Sequence, residues 1–292
     1  MRGGLAVRMR ASQATPLHAG LFICIVLMLM PGWVTAASFN ATNASMEELV
    51  GWAQRTGTTV EKKENRALAR AELFARGGEG LRYLMGNVQI TNESIRILVD
   101  EMVRSQMPPS NSAPVLAEFL DAEQPATRRV AAYYLGFSKA VEFAPRLLPL
   151  LDDEMAKGAS ARTLGKWKIR DALPGVTALL ASDKEPRRVV AVNALRDIGD
   201  PAAVPVLVGV LGDPMFTVRK AAARALATFG PAAEKALIRA MPASGGVAQR
   251  EMVRTLGVMK ARGAVKALKK MLRGAEGGLA VDIREALREI QE

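Results

Sequence analysis

The chain has 292 residues, 49% of them hydrophobic and 24% charged, a formal net charge of +11, and only 5% aromatic side chains. That composition excludes a disordered chain and favours helix packed on helix over a sheet-rich core. A single histidine, His18, and a single cysteine, Cys24, leave almost no material for imidazole or thiol chemistry.

Residues 1–36 have the layout of an export signal. Arg2, Arg8 and Arg10 precede the apolar run Leu17 to Met30, and Val34, Thr35 and Ala36 offer a small-residue cleavage site. The run is shorter than the roughly 20 residues a spanning helix needs, so cleavage after Ala36 is expected, with an uncleaved membrane anchor as the alternative. Ile23 stands where a lipidated cysteine would need a small residue before it, which disfavours a lipoprotein at Cys24. Cleavage predicts a periplasmic or extracellular protein without a transmembrane span and without histidine or cysteine. Disulfides, thiol nucleophiles, histidine bases and histidine or cysteine metal sites are then excluded, and no cofactor or metal is expected. Losing three arginines lowers the net charge from +11 to +8. Residues 37–110 carry nine basic and nine acidic side chains, so the whole excess, 28 against 20, lies in residues 111–292.

From residue 46 onward the chain repeats itself. Aligned on one leucine, equivalent positions are Leu73, Val103, Leu135, Leu164, Leu195, Leu226, Leu256 and Leu287, at spacings of 30, 32, 29, 31, 31, 30 and 31. Such regularity marks about eight repeats of one supersecondary unit. Small or apolar residues four before the marker (Ala69, Val99, Ala131, Ser160, Ala191, Ala222, Met252, Ile283) and apolar ones three after it define one helical face. A second apolar pair lies some twenty residues upstream, as in Leu116/Leu120, Val176/Leu180, Leu207/Leu211, Leu237/Met241 and Leu268/Leu272. Each repeat is therefore predicted to be two antiparallel helices. Pro114, Pro174 and Pro205 open first helices, Gly199 and Gly230 stop second ones, and Asp121, Asp152, Asp183 and Asp213 lie between the two. The expected organisation is a signal at 1–36, degenerate or capping repeats at 37–110, where Arg76 and Gln106 occupy apolar positions, and a regular array at 111–292, with no further domain boundary.

Residues 218–230, VRKAAARALATFG, and less fully Arg187 to Gly199, Thr127 to Ser138 and Ala248 to Lys260, resemble the HEAT repeats, particularly the short HEAT-like type first associated with phycobilisome lyases. The resemblance implies an all-α solenoid, an α-α superhelix of hairpins whose second helices line the concave side. It also implies that Asp and Arg positions between hairpins are structural. Seven residues before the marker stand Arg66, Arg96, Arg128, Lys157, Arg188 and Arg219, then Gln249 and Ala280. Arg128, Arg188 and Arg219 with Asp183 and Asp213 are read as such a ladder, Asp213 with Arg219 being one possible rung.

A second stripe, six and two before the marker and two after it, faces away from the core. It carries Arg129 and Tyr133, Arg162 and Lys166, Lys220 and Arg224, and Arg250 and Arg254 on successive second helices. Stacked guanidinium and ammonium groups can meet carboxylates or phosphates, and Tyr133, Tyr134 and Trp167 offer flat apolar contact nearby. The basic run after Glu251 (Lys266, Lys269, Lys270, Arg273) reads as a solvated helix face, and export disfavours nucleic acid as a partner.

The function expected is a non-catalytic protein-binding or scaffolding module with a basic concave face. An acidic protein is the first choice of partner and an anionic envelope polymer the second. Some proteins of this repeat class are enzymes. A hydroxylase that holds its metal on His-Glu pairs is excluded by the missing histidines. The alternative reading is a lyase-type or DNA-glycosylase-type enzyme using Asp/Glu chemistry, for which no constellation stands out.

Overall fold

A computed structural model describes residues 39–87 and 93–292. The segment expected to be an export signal, with His18 and Cys24, lies outside the described residues. Among those residues there are 16 α-helices and no strand, as the helical periodicity requires. They form two compact units, one ending at Arg76 and one spanning Gly77–Glu292. The division falls inside the stretch read as terminal repeats, 37–110.

The first unit pairs α1 (Met46–Gln54) with α2 (Val60–Ala75). Ser45 caps α1 in a reciprocal box: its hydroxyl accepts from the Glu48 N–H, and the Ser45 N–H donates to the Glu48 carboxylate at 2.8 Å. Leu49, Val50, Ala53, Ala69 and Leu73 are among its buried side chains. Arg76, placed where later repeats are apolar, spends its guanidinium on local acceptors, donating to the Ala44 carbonyl at 2.7 Å and to Glu72 at 3.1 Å.

The second unit opens with α3 (Gly78–Gly86) and α4 (Glu93–Glu101), which continues through one π-helical turn, Met102–Gln106. The regular hairpins follow: α5 (Pro109–Glu118) with α6 (Pro125–Leu135), α7 (Ala144–Leu147) with α8 (Lys157–Lys166), and α9 (Leu173–Ala178) with α10 (Glu185–Ile198). Three more complete the unit: α11 (Val204–Val210) with α12 (Phe216–Thr228), α13 (Pro231–Ala240) with α14 (Gly246–Val258), and α15 (Val265–Leu272) with α16 (Gly277–Gln291). Second helices stack on second helices, α6 on α8, α8 on α10, α10 on α12, α12 on α14 and α14 on α16. A hairpin buries its apolar face only against its neighbours, so the core runs along the array.

Burial follows the repeat register. Leu135, Leu164, Leu195, Leu226 and Leu256 are fully buried, as are Ala131, Ser160, Ala191 and Ala222 one turn earlier. Leu287 is half-buried, while Ile283, Ala286 and Ile290 carry the core of α16. Two local expectations are corrected. Pro114 sits inside α5, which begins at Pro109, and the buried pair of α9 is Val176 with Leu179 instead of Leu180.

Small residues set the spacing of second helices. A Cβ on Gly165 would lie 2.9 Å from Ala194 Cα, and one on Gly257 2.8 Å from Ala286 Cα, so both positions exclude any larger residue unless the backbones part. Four residues after the marker the backbone turns with positive φ at Gly77, Lys168, Gly199, Gly230 and Lys260. Glycine takes that conformation freely, whereas the two lysines are strained in it. No helix among the described residues is long and apolar enough to cross a membrane.

Candidate functional site

In three of the second helices the arginine seven before the marker binds its own inter-helix turn. Arg128 donates to the Ala122 and Glu123 carbonyls at 2.6 and 2.8 Å, Arg188 to Ser182 and Asp183 at 2.9 and 3.3 Å, and Arg219 to Asp213 and Pro214, both at 2.9 Å. Gln249, the apparent departure, does the same with its amide, donating to Met241 O at 3.0 Å.

The remaining edge of the guanidinium reaches the next repeat. Arg188 grips Asp213 bidentately at 2.8 and 3.0 Å, and Arg128 binds Asp153 at 2.9 and 2.5 Å. Each aspartate also accepts backbone N–H groups at the start of the following second helix: Met155 and Ala156 donate to Asp153, and Met215 to Asp213. Burial alone would raise both carboxyls, but these hydrogen bonds outweigh it and hold them below the ordinary aspartate value.

The rungs therefore differ from those anticipated. Asp153, not Asp152, serves the fourth repeat, and Asp183 contributes its carbonyl while its carboxylate joins no rung. Asp213 takes Arg188, while Arg219 has only Glu251, at 3.8 Å.

The stripe is not one continuous basic surface. Its two ends are built differently. At α14 and α16, Arg250 donates to Asp282 at 2.5 Å and Arg254 to Asp282 at 3.1 and 3.0 Å, while Arg254 also reaches Glu251 at 3.2 Å. Asp282 is 4% exposed. Burial pushes its carboxyl up, yet the bonds from Arg250 and Arg254 prevail and keep it below its ordinary value. These two cations are consumed within the protein and correct the expectation that they stand free. In the middle of the array the stripe positions of α10 are Val189, Asn193 and Asp197, Asp197 being paired with Arg196 at 2.7 Å. Lys220 lies 5.8 Å from the centre of the exposed Phe216 ring, and Arg224 is exposed.

The other end is open. A groove of about 430 Å³ runs across α4, α6, α8 and α10, lined by Arg96, Arg129, Tyr133, Met155, Gly158 and Arg162 among others. Arg162 lies 5.7 Å from the Tyr133 ring centre and Lys166 4.5 Å from Phe137, so rings of one helix receive cations of the next. Lys166 also donates to Gly136 O at 3.3 Å. Its ammonium pKa is lowered first by burial and then by the charge of Arg162, with a smaller push from Arg104 and an opposing pull from Asp197. Glu154 is the one carboxylate in the groove lining, and Lys157 and Arg187 bind it. Those hydrogen bonds, Lys157 first, hold its carboxyl down at about 2. Arg96, Arg129 and Arg162 form no ion pair among the described residues.

Two aromatics placed on this surface by sequence serve the interior. Tyr134 is buried, and its hydroxyl donates to Asp100 at 3.2 Å. Trp167 donates its indole N–H to Ser138 O at 2.9 Å and ties adjacent repeats together. Conversely, Arg96 stands in the ladder register and faces the groove. Arg187, one position before the ladder register, closes its edge. No sequence signal separates Arg96 from the ladder: Asp121 stands 25 residues after it, as Asp153 and Asp213 stand after Arg128 and Arg188, but Asp121 pairs with Arg146 instead.

Among the described residues no cluster of three or more acidic, histidine or cysteine side chains could hold a metal. Residues 144–227 and 173–244 match the family model for HEAT repeats. The fold is similar to that of the Escherichia coli protein YibA, with 14% identity, coverage of 97% of this chain and 100% of the other, and a TM-score of 0.47. It is also similar to an engineered protein, at 20% identity, 85% and 78% coverage and a TM-score of 0.46. The complex of CpcE and CpcF of phycocyanin lyase from Nostoc sp. PCC7120 gives 18% identity, 89% and 100% coverage and a TM-score of 0.39. No curated protein sequence matches the chain.

Proposed function

Because the chain carries HEAT repeats, with the family pattern matched across residues 144–244, we propose that it is an exported, non-catalytic binding or scaffolding module. Its second-helix face would receive an acidic segment of a protein partner. The observation behind this reading is the groove across α4, α6, α8 and α10, where Arg96, Arg129 and Arg162 form no ion pair among the described residues. Charge-assisted hydrogen bonds from such groups are roughly twice as strong as neutral ones, and a guanidinium presents a carboxylate with two parallel donors. The overall excess of positive charge adds long-range steering toward acidic partners.

An Asp/Glu enzyme of the lyase or glycosylase type would need a carboxylate free to exchange protons in the groove. Glu154 is instead tied to Lys157 and Arg187, which favours recognition over acid/base turnover.

The test is capture of partners from envelope extracts at low salt, comparing the protein with an Arg129→Glu/Arg162→Glu variant. Retention of an acidic protein by the first and its loss by the second, with helicity unchanged, supports the proposal. Equal capture by both overturns it, and retention of an anionic polymer alone moves the partner to the envelope. Intact-mass measurement on protein from its native host checks export by showing whether residues 1–36 have been removed.

A further inference from the structure

The groove has more structure than a charged face requires. Gly158 occupies the stripe position that carries Arg129, Val189, Lys220, Arg250 and Val281 in the other regular repeats. A Cβ on Gly158 would meet nothing within 4 Å. The hollow therefore exists because one side chain is missing from an otherwise filled row. Its walls carry the guanidiniums of Arg96, Arg129 and Arg162 from three successive second helices, the apolar surfaces of Tyr133 and Met155, and Glu154, which Lys157 and Arg187 hold.

At about 430 Å³ the hollow lies within the range of pockets that hold a drug-sized group, far more room than one carboxylate or phosphate fills. A second hollow of about 320 Å³ shares Arg96 and Tyr133 and is lined also by the carboxylates Glu93 and Asp100 and by Ile97, an apolar side chain left 50% exposed. A ligand that satisfies both is extended and mixed in character.

We infer that this groove is a pocket for an acidic side chain and an adjoining apolar side chain of one extended peptide segment. The carboxylate meets Arg129 and Arg162, and the apolar neighbour lies against Tyr133 and Ile97. The inference rests on the acidic-partner reading and narrows it from a face to a seat. Hydrogen bonds from the arginines give orientation, while the apolar contact supplies the affinity that surface charge alone lacks at physiological salt.

The experiment uses the intact protein and fluorescence anisotropy of three probes: a labelled peptide alternating glutamate and phenylalanine, the same peptide with glutamine for glutamate, and inorganic phosphate as a competitor. Gly158→Gln fills the hollow without altering charge and stands in open space on a helix, so the fold tolerates it. Arg162→Ala removes one donor, and Arg224→Ala removes a stripe cation away from the groove. The expected result is binding of the glutamate peptide only, weakened about tenfold by Gly158→Gln and by Arg162→Ala, the ratio for one lost hydrogen bond to a charged group. Arg224→Ala leaves binding unchanged, and millimolar phosphate does not displace the peptide.

If the glutamate peptide binds equally to wild type, Gly158→Gln and Arg162→Ala, the pocket is refuted while the acidic-partner reading survives. If phosphate displaces it at low concentration, the site is an anion site and the peptide assignment falls. If no anionic probe binds at low salt, both readings fall together.

Discussion

The α4–α8 end and the α14–α16 end of the second unit carry the same stripe positions with opposite outcomes. At one end Arg129 and Arg162 meet no carboxylate among the described residues and flank a hollow opened by Gly158. At the other, Arg250 and Arg254 close on Asp282, buried five residues before the marker at a position where earlier repeats place Val130, Ala159, Val190 and Ala221. A basic stripe in a repeat array is therefore only a set of offers. Whether each cation faces a partner or the protein depends on what the adjacent helix places opposite it.

The strongest perturbation available tests what the two ends share. Gly165→Leu and Gly257→Leu each force a side chain into a helix–helix contact already closer than ordinary packing, and each is expected to cost about 3 kcal/mol or prevent folding, as severe overpacking does. Urea denaturation of the two variants should give comparable losses, and a large inequality would show that the ends do not stack alike.

Next in size is Asp282→Asn, expected to cost about 2 kcal/mol through weakened charged hydrogen bonds. It frees Arg250 and Arg254 at the same time, so an anionic peptide should acquire a second, weaker site at α14. A variant that loses stability without gaining anion affinity would mean that the basic end needs its hollow as well as its charge.

Acid should act on the same groups. Asp153, Asp213 and Asp282 have folded carboxyl values depressed below the ordinary one of about 3.9, so their contribution is complete above pH 4 and is lost as pH falls through the folded values. Thermal melting between pH 5 and pH 2.5 should show that loss, and Asp282→Asn should flatten part of it.

The smallest effect is a gain. Lys168→Gly at one end and Lys260→Gly at the other relieve a positive φ and should each stabilise by about 1 kcal/mol, less the entropy glycine loses on folding. Differential scanning calorimetry on the two single variants and the double would also show whether the ends behave additively.

The hairpins were legible because the marker spacing and the one-turn offset of Ala131, Ala191 and Ala222 are helical periods, and periodicity is local information. The ladder was legible in its arginines and misread in its acids. Asp152 and Asp153 are adjacent in sequence, and only the turn decides which one points at Arg128. The neutralised end left a trace, since Glu251 and Asp282 are charged at a position otherwise apolar. The division at Arg76 left none, because it reflects which helices share contacts.

The sequence by itself determined the helical class, the repeat length, the core register and the positions at which cations leave the second helices, since all follow from periods of 3.6 and about 31 residues. Tertiary structure decided which cations remain open, that Tyr134 and Trp167 turn inward, that Arg96 faces the groove, and that Gly158 makes a hollow. Those outcomes depend on residues some 30 positions apart coming within a few ångströms, and that distance is set by helix stacking.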